Sequence, residues 1–153
     1  MFSKKTWLVN SALVGFFVIL LDQTAKWWAF THPLVSGYLI KPWLGWELFL
    51  NPGVAFSLPL PNWLLIITTP FLLAWLIFYT VKKYESPKAT LYEITGLVFI
   101  ISGALSNYID RVIKAVTVDY LRIFYSVINL ADIVIVLGLI LILSNEIKRI
   151  DKN

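Results

Sequence analysis

Ionisable and amide side chains interrupt three long apolar runs of this chain, and each interruption lies near one end of its run. An ionised residue at the middle of a membrane-spanning helix costs about 2.5 to 3.5 kcal/mol on insertion scales, so such residues are candidates for function. The three groups have i, i+3 or i, i+4 spacing, which places each on one face of a helix: Asp22 with Lys26; Asn107 with Asp110 and Arg111; Asn129 with Asp132.

A pair of aspartates is the strongest candidate for chemistry. Asp119 lies in the short connection between the third and fourth runs, 13 residues before Asp132. We expect the two to face each other across a shallow pocket, because helices of one small bundle bring residues of equal depth together. Two carboxyl groups in a partly dry pocket do not both ionise. One can then activate water while the other protonates a carbonyl oxygen or a leaving amine.

Structural alternatives exist for these residues. Asp22 and Lys26 could form an interfacial ion pair at the end of a span, and Asn107 with Arg111 could reach the lipid headgroups. Asp119 taken alone could be an ordinary loop acid. Two further residues are expected to be structural: His32 interfacial, and Glu93 solvated near the other end of the third run.

The segment Asn51 to Ser57 precedes the second run and is either an ordinary turn or a hinge or wall of the pocket. Gly53 is free to adopt backbone angles closed to other residues. Asn51 offers both a carbonyl and an amide to a peptide backbone.

The composition shows which elements must position these side chains. Of 153 residues, 59% are hydrophobic and 14% are charged, and the mean hydropathy is +0.78. A span needs about 20 apolar residues, so this chain has room for four. We expect a single all-α membrane domain, residues 1–153, built as a four-transmembrane-helix bundle with spans at about 7–26, 63–81, 91–111 and 127–145.

The connections are expected to differ in character. Residues 27–63 hold five of the seven tryptophans together with five prolines, which indicates that residues 27–62 form a small, aromatic-rich, partly β extracytoplasmic layer between helices 1 and 2. Residues 112–126 form a second extracytoplasmic segment, and residues 82–90 a short cytoplasmic loop.

The basic residues predict the orientation. Eight lie on the side of the termini (Lys4, Lys5, Lys82, Lys83, Lys88, Lys148, Arg149, Lys152) and five on the other (Lys26, Lys41, Arg111, Lys114, Arg122). Both termini are therefore expected to be cytoplasmic, and the positive charge indicates topology, not nucleic acid binding. Cysteine is absent, which excludes disulfides and thiolate chemistry.

Five segments in order resemble motifs of lipoprotein signal peptidase, the bacterial intramembrane aspartic peptidase family also called signal peptidase II. They are Asp22-Gln23-Thr24-Ala25-Lys26, Asn51-Pro52-Gly53-Val54-Ala55-Phe56-Ser57, Gly103 to Arg111, Val118-Asp119-Tyr120 and Asn129-Leu130-Ala131-Asp132. Ser102 and Ser106 stand where the family usually has glycine, which affects helix packing more than chemistry.

By this resemblance Asp119 and Asp132 are the catalytic pair, and Asn51, Asn107, Arg111 and Asn129 hold the pair and the substrate backbone. Asp22 and Lys26 support the pocket, and the segment around Gly53 acts as a lid. The resemblance implies removal of the signal peptide from diacylglyceryl-modified prolipoproteins before the lipidated cysteine, without a metal or organic cofactor. It further implies a monomer in the bacterial inner membrane, in contact with membrane lipids.

Two other functional classes fit the residues alone. A small transporter or proton relay also uses membrane carboxylates, but it needs polar residues along the whole thickness of the membrane. A non-catalytic assembly factor or pseudoenzyme would tolerate loss of either aspartate.

Overall fold

Four helices long and apolar enough to cross a membrane dominate the computed structural model, which describes residues 3–53 and 60–150 and the side chains of these ranges up to residue 147. The helices are α1 (Lys4–Thr31), α2 (Asn62–Glu85), α3 (Leu91–Lys114) and α4 (Leu130–Ile150). The prediction of a four-helix membrane bundle is confirmed. Val54 to Ser57 of the predicted lid lie outside the described residues.

Four short strands form one antiparallel sheet at one end of the bundle. They are β1 (Gly37–Ile40), β2 (Leu44–Asn51), β3 (Thr117–Ile123) and β4 (Ser126–Ile128), in the order β1-β2-β3-β4. The first two come from the connection between α1 and α2, as predicted. The other two come from the connection between α3 and α4, so the β layer is larger than the sequence indicated and Asp119 lies in a strand, not a loop.

The central pairing of the sheet joins the two connections. Asn51 in β2 lies opposite Thr117 in β3, and Phe49 lies opposite Asp119. One face of β3 carries Val118 and Tyr120, which are buried in a small core against Ala29 near the end of α1. Because side chains alternate along a strand, Thr117 and Asp119 face the opposite way.

Helix α3 is the centre of the bundle and packs against α1, α2 and α4. Its contact with α4 depends on glycines that let the two backbones approach closely. A Cβ atom at Gly96 would lie 2.6 Å from the carbonyl oxygen of Gly138, and one at Gly103 would lie 2.5 Å from that of Ala131. Close approach through small residues is typical of helix packing in membranes.

The end of the bundle opposite the sheet contains an ion pair that the sequence did not predict. Glu93 was expected to be solvated, but it is 2% exposed and lies 2.6 Å from the ammonium of Lys83 in α2. It also accepts a hydrogen bond from the Thr90 backbone N–H at 2.9 Å, as part of a capping box that begins α3. The expectation for Glu93 was wrong because its partner lies on another helix.

The close contact between α3 and α4 predicts the effect of a methyl group at Gly96. Gly96→Ala places a Cβ atom against a backbone oxygen that cannot rotate away, and overpacking of this kind costs about 1 to 3 kcal/mol. We expect a lower thermal unfolding midpoint in detergent. Gly37→Ala is the control, since nothing lies within 4 Å of a Cβ atom there. Equal midpoints for the two variants would contradict the packing argument.

Candidate active site

The ammonium of Lys26 is the centre of a buried polar network at the sheet end of the bundle. It lies 2.8 Å from Asp22 Oδ2 and 3.0 Å from Asp110 Oδ2, and it donates to Asn107 Oδ1 at 2.7 Å. The side chains of Lys26, Asp22 and Asp110 are 0% exposed. The alternative of an interfacial ion pair at the end of a span is therefore wrong: this group connects α1 to α3 inside the protein.

Asp22 also holds the beginning of α4. Its Oδ1 accepts hydrogen bonds from the backbone N–H groups of Leu130 at 3.0 Å and Ala131 at 3.3 Å, and from the Tyr120 hydroxyl at 2.9 Å. Its Oδ2 accepts from the Ser106 hydroxyl at 2.7 Å. Backbone N–H groups at a helix start lack partners within the helix, and a carboxylate from another element can satisfy them. Serine in place of glycine at 106 thus contributes to the network.

Sequence reasoning grouped Asp110 with Asn107 and Arg111 without assigning it a role, and it did not predict the roles of Ser106 and Tyr120 in this network. Asp110 was visible in the pattern, since it stands one turn after Ser106 and beside Arg111. It accepts hydrogen bonds from Lys114 at 2.8 Å and from the Val118 backbone N–H at 3.2 Å, which fixes the start of β3 to the end of α3. No local pattern indicates the contact of Tyr120 with Asp22, because 98 residues separate them.

Three asparagines hold the two candidate catalytic carboxyl groups. Asp119 accepts from Asn51 Nδ2 at 3.0 Å and from Asn129 Nδ2 at 2.6 Å. Asp132 accepts from Asn107 Nδ2 at 2.8 Å and from the Asn129 backbone N–H at 3.3 Å. Asn129 therefore contacts both carboxyl groups. It also accepts from the Asp132 backbone N–H at 2.9 Å, so the two residues cap the start of α4 reciprocally.

Both aspartates line one cleft of about 990 Å³. Its polar part lies at the sheet and also includes Asn51, Asn107, Arg111 and Thr117. Its apolar walls come from α2 and α4, through Leu65, Leu72, Ile133, Val136 and Leu137. The cleft thus continues for roughly 7 Å along α4 beyond Asp132, given a rise of about 1.5 Å per residue. A polar site beside an apolar groove suits a peptide bond attached to a hydrophobic segment.

Arg111 lines this cleft and is bound to Gly53. The guanidinium Nη2 of Arg111 donates to the carbonyl oxygen of Gly53, and the carbonyl oxygen of Arg111 accepts from the Asn62 side chain at 3.3 Å. Arg111 is only 7% exposed, so it does not extend to solvent as a residue reaching for headgroups would. Gly53 is held further by the hydrogen bond from its N–H to Asn51 Oδ1 at 3.0 Å.

The environment of Asp119 perturbs its protonation. Burial, and after it the nearby charge of Asp132, raise the pKa of Asp119 to about 7, while the hydrogen bonds from Asn51 and Asn129 act in the opposite direction. With Asp119 only 1% exposed, the desolvation of its charged form is the dominant cause. A carboxyl group of this pKa exchanges protons near neutral pH.

No three His, Asp or Glu side chains within residues 3–53 and 60–150 are arranged to hold a metal ion. His32 lies at the end of α1, where its ring stacks on Trp28 with centroids 4.9 Å apart. Its interfacial assignment stays a prediction.

Comparison with known proteins decides the family. Residues 14–148 match the model of the signal peptidase II family. The chain belongs to the signal peptidase II family. It is therefore an aspartic-type peptidase, and with four apolar helices it is a multi-pass protein of the bacterial inner membrane.

Individual relatives agree with this family. The chain is 32% identical to the lipoprotein signal peptidase of Polynucleobacter necessarius over 95% of its own length and 94% of the relative's. It is 35% identical to that of Bartonella bacilliformis over 88% and 86%. A solved structure of a bacterial membrane enzyme has a TM-score of 0.83 at 25% identity, covering 94% of this chain and 91% of the other.

The buried network of this signal peptidase II predicts a strong effect of removing its cation. Lys26→Met leaves Asp22 and Asp110 without their shared counter-ion, and breaking a buried ion pair in this way costs about 3 to 5 kcal/mol. We expect a much lower thermal midpoint in detergent. Lys114→Met is the matched control, since Lys114 also pairs with Asp110 but is 18% exposed. A midpoint for Lys26→Met as high as that of the control would contradict this role for Lys26.

Proposed function

We propose that Asp119 and Asp132 form the catalytic dyad of an endopeptidase that removes signal peptides from diacylglyceryl-modified prolipoproteins, cleaving just before the lipidated cysteine. The observation that carries the proposal is the double contact of Asn129, which donates to Asp119 and caps α4 together with Asp132. One amide side chain thus sets the relative position of the two carboxyl groups. The name carried by the relatives, lipoprotein signal peptidase, supports the substrate class.

The dyad works as an acid and a base that exchange roles. The anionic carboxylate takes a proton from water as the water oxygen attacks the scissile carbonyl carbon, and the protonated carboxyl group gives its proton to the carbonyl oxygen. The tetrahedral intermediate then loses a proton from oxygen back to the dyad. Its C–N bond breaks as the amine leaving group accepts the other proton. Atoms and protons balance without any further reagent.

The remaining residues position the dyad and the substrate. Asn51, Asn107 and Asn129 orient the carboxyl groups, and Asp22 with Lys26 holds the helices that carry them. Arg111 and Gly53 flank the place where the substrate backbone lies. Acyl chains in the membrane fix the cysteine at headgroup depth, so the peptide bond beside it reaches a dyad at the end of the bundle.

The excess of basic residues on the terminal side supports an orientation with both termini cytoplasmic and the sheet on the extracytoplasmic side. The exposed apolar residues of α1 and α2, such as Phe17 at 56% and Phe71 at 74%, support direct contact with membrane lipids. All groups assigned to chemistry belong to one chain, which is consistent with a monomer. Family membership favours this peptidase over the transporter.

Loss of either dyad carboxyl group is the first test. Asp119→Asn and Asp132→Asn each retain size and hydrogen bonding but cannot take up or give a proton, so we expect cleavage to fall by at least about 100-fold. The measurement is the gel mobility shift of a model diacylglyceryl prolipoprotein incubated with purified enzyme in detergent. Glu85→Gln, an exposed carboxyl group at the opposite end of the bundle, is the control. Near wild-type turnover by either aspartate variant would eliminate the dyad and require another mechanism, whereas no cleavage by the unchanged protein would leave the pseudoenzyme.

The raised pKa of Asp119 predicts the pH dependence. The dyad needs one proton, and that proton leaves the pair as the pH rises through about 7. We expect kcat/KM to fall above this pH, approaching tenfold for each pH unit, because neither carboxylate can then act as the acid. The profile is measured from pH 5 to 9, with the thermal midpoint recorded at each pH to separate titration from unfolding. A flat profile up to pH 9 would contradict a single shared proton.

A further inference from the structure

Two residues that line the cleft each have a buried polar atom with no hydrogen-bond partner within the described parts of the chain. These atoms are Thr117 Oγ1 and Arg111 Nη1, in side chains that are 3% and 7% exposed. The side chains of Asp119, Asp132 and the three asparagines that hold them all have hydrogen-bond partners. Native proteins leave few buried polar atoms unpaired, and each such atom needs an explanation. A ligand that enters the cleft is the explanation that their position favours.

The position of Thr117 relative to the dyad is well defined. It precedes Asp119 by two residues in β3, so both side chains lie on the face of the strand that lines the cleft. Their Cα atoms are therefore about 7 Å apart, at a rise of roughly 3.4 Å per residue. Thr117 is the first residue of β3, lies opposite Asn51 of β2, and follows the end of α3 by three residues.

The chemistry of the two atoms restricts what they bind. A guanidinium N–H only donates, and a threonine hydroxyl can donate, so a ligand shared by both is a hydrogen-bond acceptor. An anionic acceptor would be repelled by the dyad carboxylate nearby. A neutral carbonyl oxygen meets both requirements.

We infer that Thr117, which lines the same cleft as Arg111, is a substrate-binding residue whose hydroxyl donates to a carbonyl oxygen of the lipidated peptide close to the scissile bond. The inference rests on the proposed function and adds a residue to it. Two parts of the substrate offer this carbonyl: the peptide backbone, within about two residues of the cleaved bond, and the ester groups of the diacylglyceryl unit on the cysteine.

Two substitutions separate the hydroxyl from the shape of the side chain. Thr117→Val retains the branched side chain that suits a strand and removes only the hydroxyl, whereas Thr117→Ser retains the hydroxyl. Loss of one hydrogen bond predicts a three- to tenfold decrease in kcat/KM for Thr117→Val, expressed as a higher KM with kcat nearly unchanged. We expect Thr117→Ser to stay within twofold of wild type.

The experiment uses purified full-length enzyme in detergent and two forms of one lipopeptide. One form carries diacylglycerol on the cysteine, and the other carries the dialkyl ether, which lacks the ester carbonyls. A decrease with both forms identifies a peptide carbonyl. A decrease with the diacyl form alone identifies an ester carbonyl.

Two results would overturn the inference. One is a wild-type kcat/KM for Thr117→Val on both substrates; the other is an equal loss in the valine and serine variants, which would show that side-chain shape matters and the hydroxyl does not. Thermal midpoints check folding, and Thr117→Ala provides a second variant without the hydroxyl if valine is not tolerated. Failure of the proposed function would appear separately, as turnover by the Asp119→Asn or Asp132→Asn enzyme, whereas failure at Thr117 leaves those variants inactive.

Discussion

The buried ammonium of Lys26 is the interaction on which the sheet end of this protein depends. It lies between carboxylates from two helices and also donates to Asn107. Because an ammonium group only donates, Asn107 must turn its oxygen toward Lys26 and its amide toward Asp132. Lys26 therefore fixes the orientation of the Asp132 carboxyl group through Asn107, without contacting that group itself. Asp22, which pairs with Lys26, also accepts hydrogen bonds from backbone N–H groups at the start of α4 and so holds this helix in place.

The asparagines around Asp119 and Asp132 stabilise a carboxylate, whereas the proposed mechanism also needs one of the two carboxyl groups to keep its proton. Amide donors favour the carboxylate form of Asp119, while burial and the second aspartate oppose it. The outcome is a pKa of about 7 for Asp119, because desolvation and the charge of Asp132 together outweigh the two hydrogen bonds. Neutral amides suit this balance, since a cation in direct contact would favour full ionisation of the pair. Lys26 acts on the dyad through Asn107 and not by direct contact.

Local sequence patterns predicted the helices, whereas the strand that carries Asp119 and the burial of Glu93 depend on pairing between distant parts of the chain. Runs of apolar residues with polar groups at helical spacing were sufficient for four helices and for the convergence of Asn107, Asn129 and Asp132. The strand that carries Asp119 was not predictable from its own residues, because it is defined by pairing with β2 some 68 positions earlier. The burial of Glu93 was not predicted for the same reason, since Lys83, with which it forms an ion pair, belongs to another helix. Thr117 stands out only when its hydroxyl is seen to be unpaired.

The sheet positions one of the two proposed catalytic carboxyl groups, whereas α2 contributes apolar surface to the cleft. One face of β3 packs on α1 through Val118 and Tyr120, and the other presents Asp119 to the cleft. The hydrogen bonds to both dyad carboxyl groups, in the described residues, come from β2, α3 and the start of α4. Helix α2 supplies apolar surface through Leu65 and Leu72 instead. The described hydrogen bonds to the two carboxyl groups therefore do not involve α2, which is linked to the site through Asn62 and the carbonyl oxygen of Arg111. Under the proposed function, the apolar wall of α2 can fit signal peptides of different sequence while the carboxyl groups stay in place.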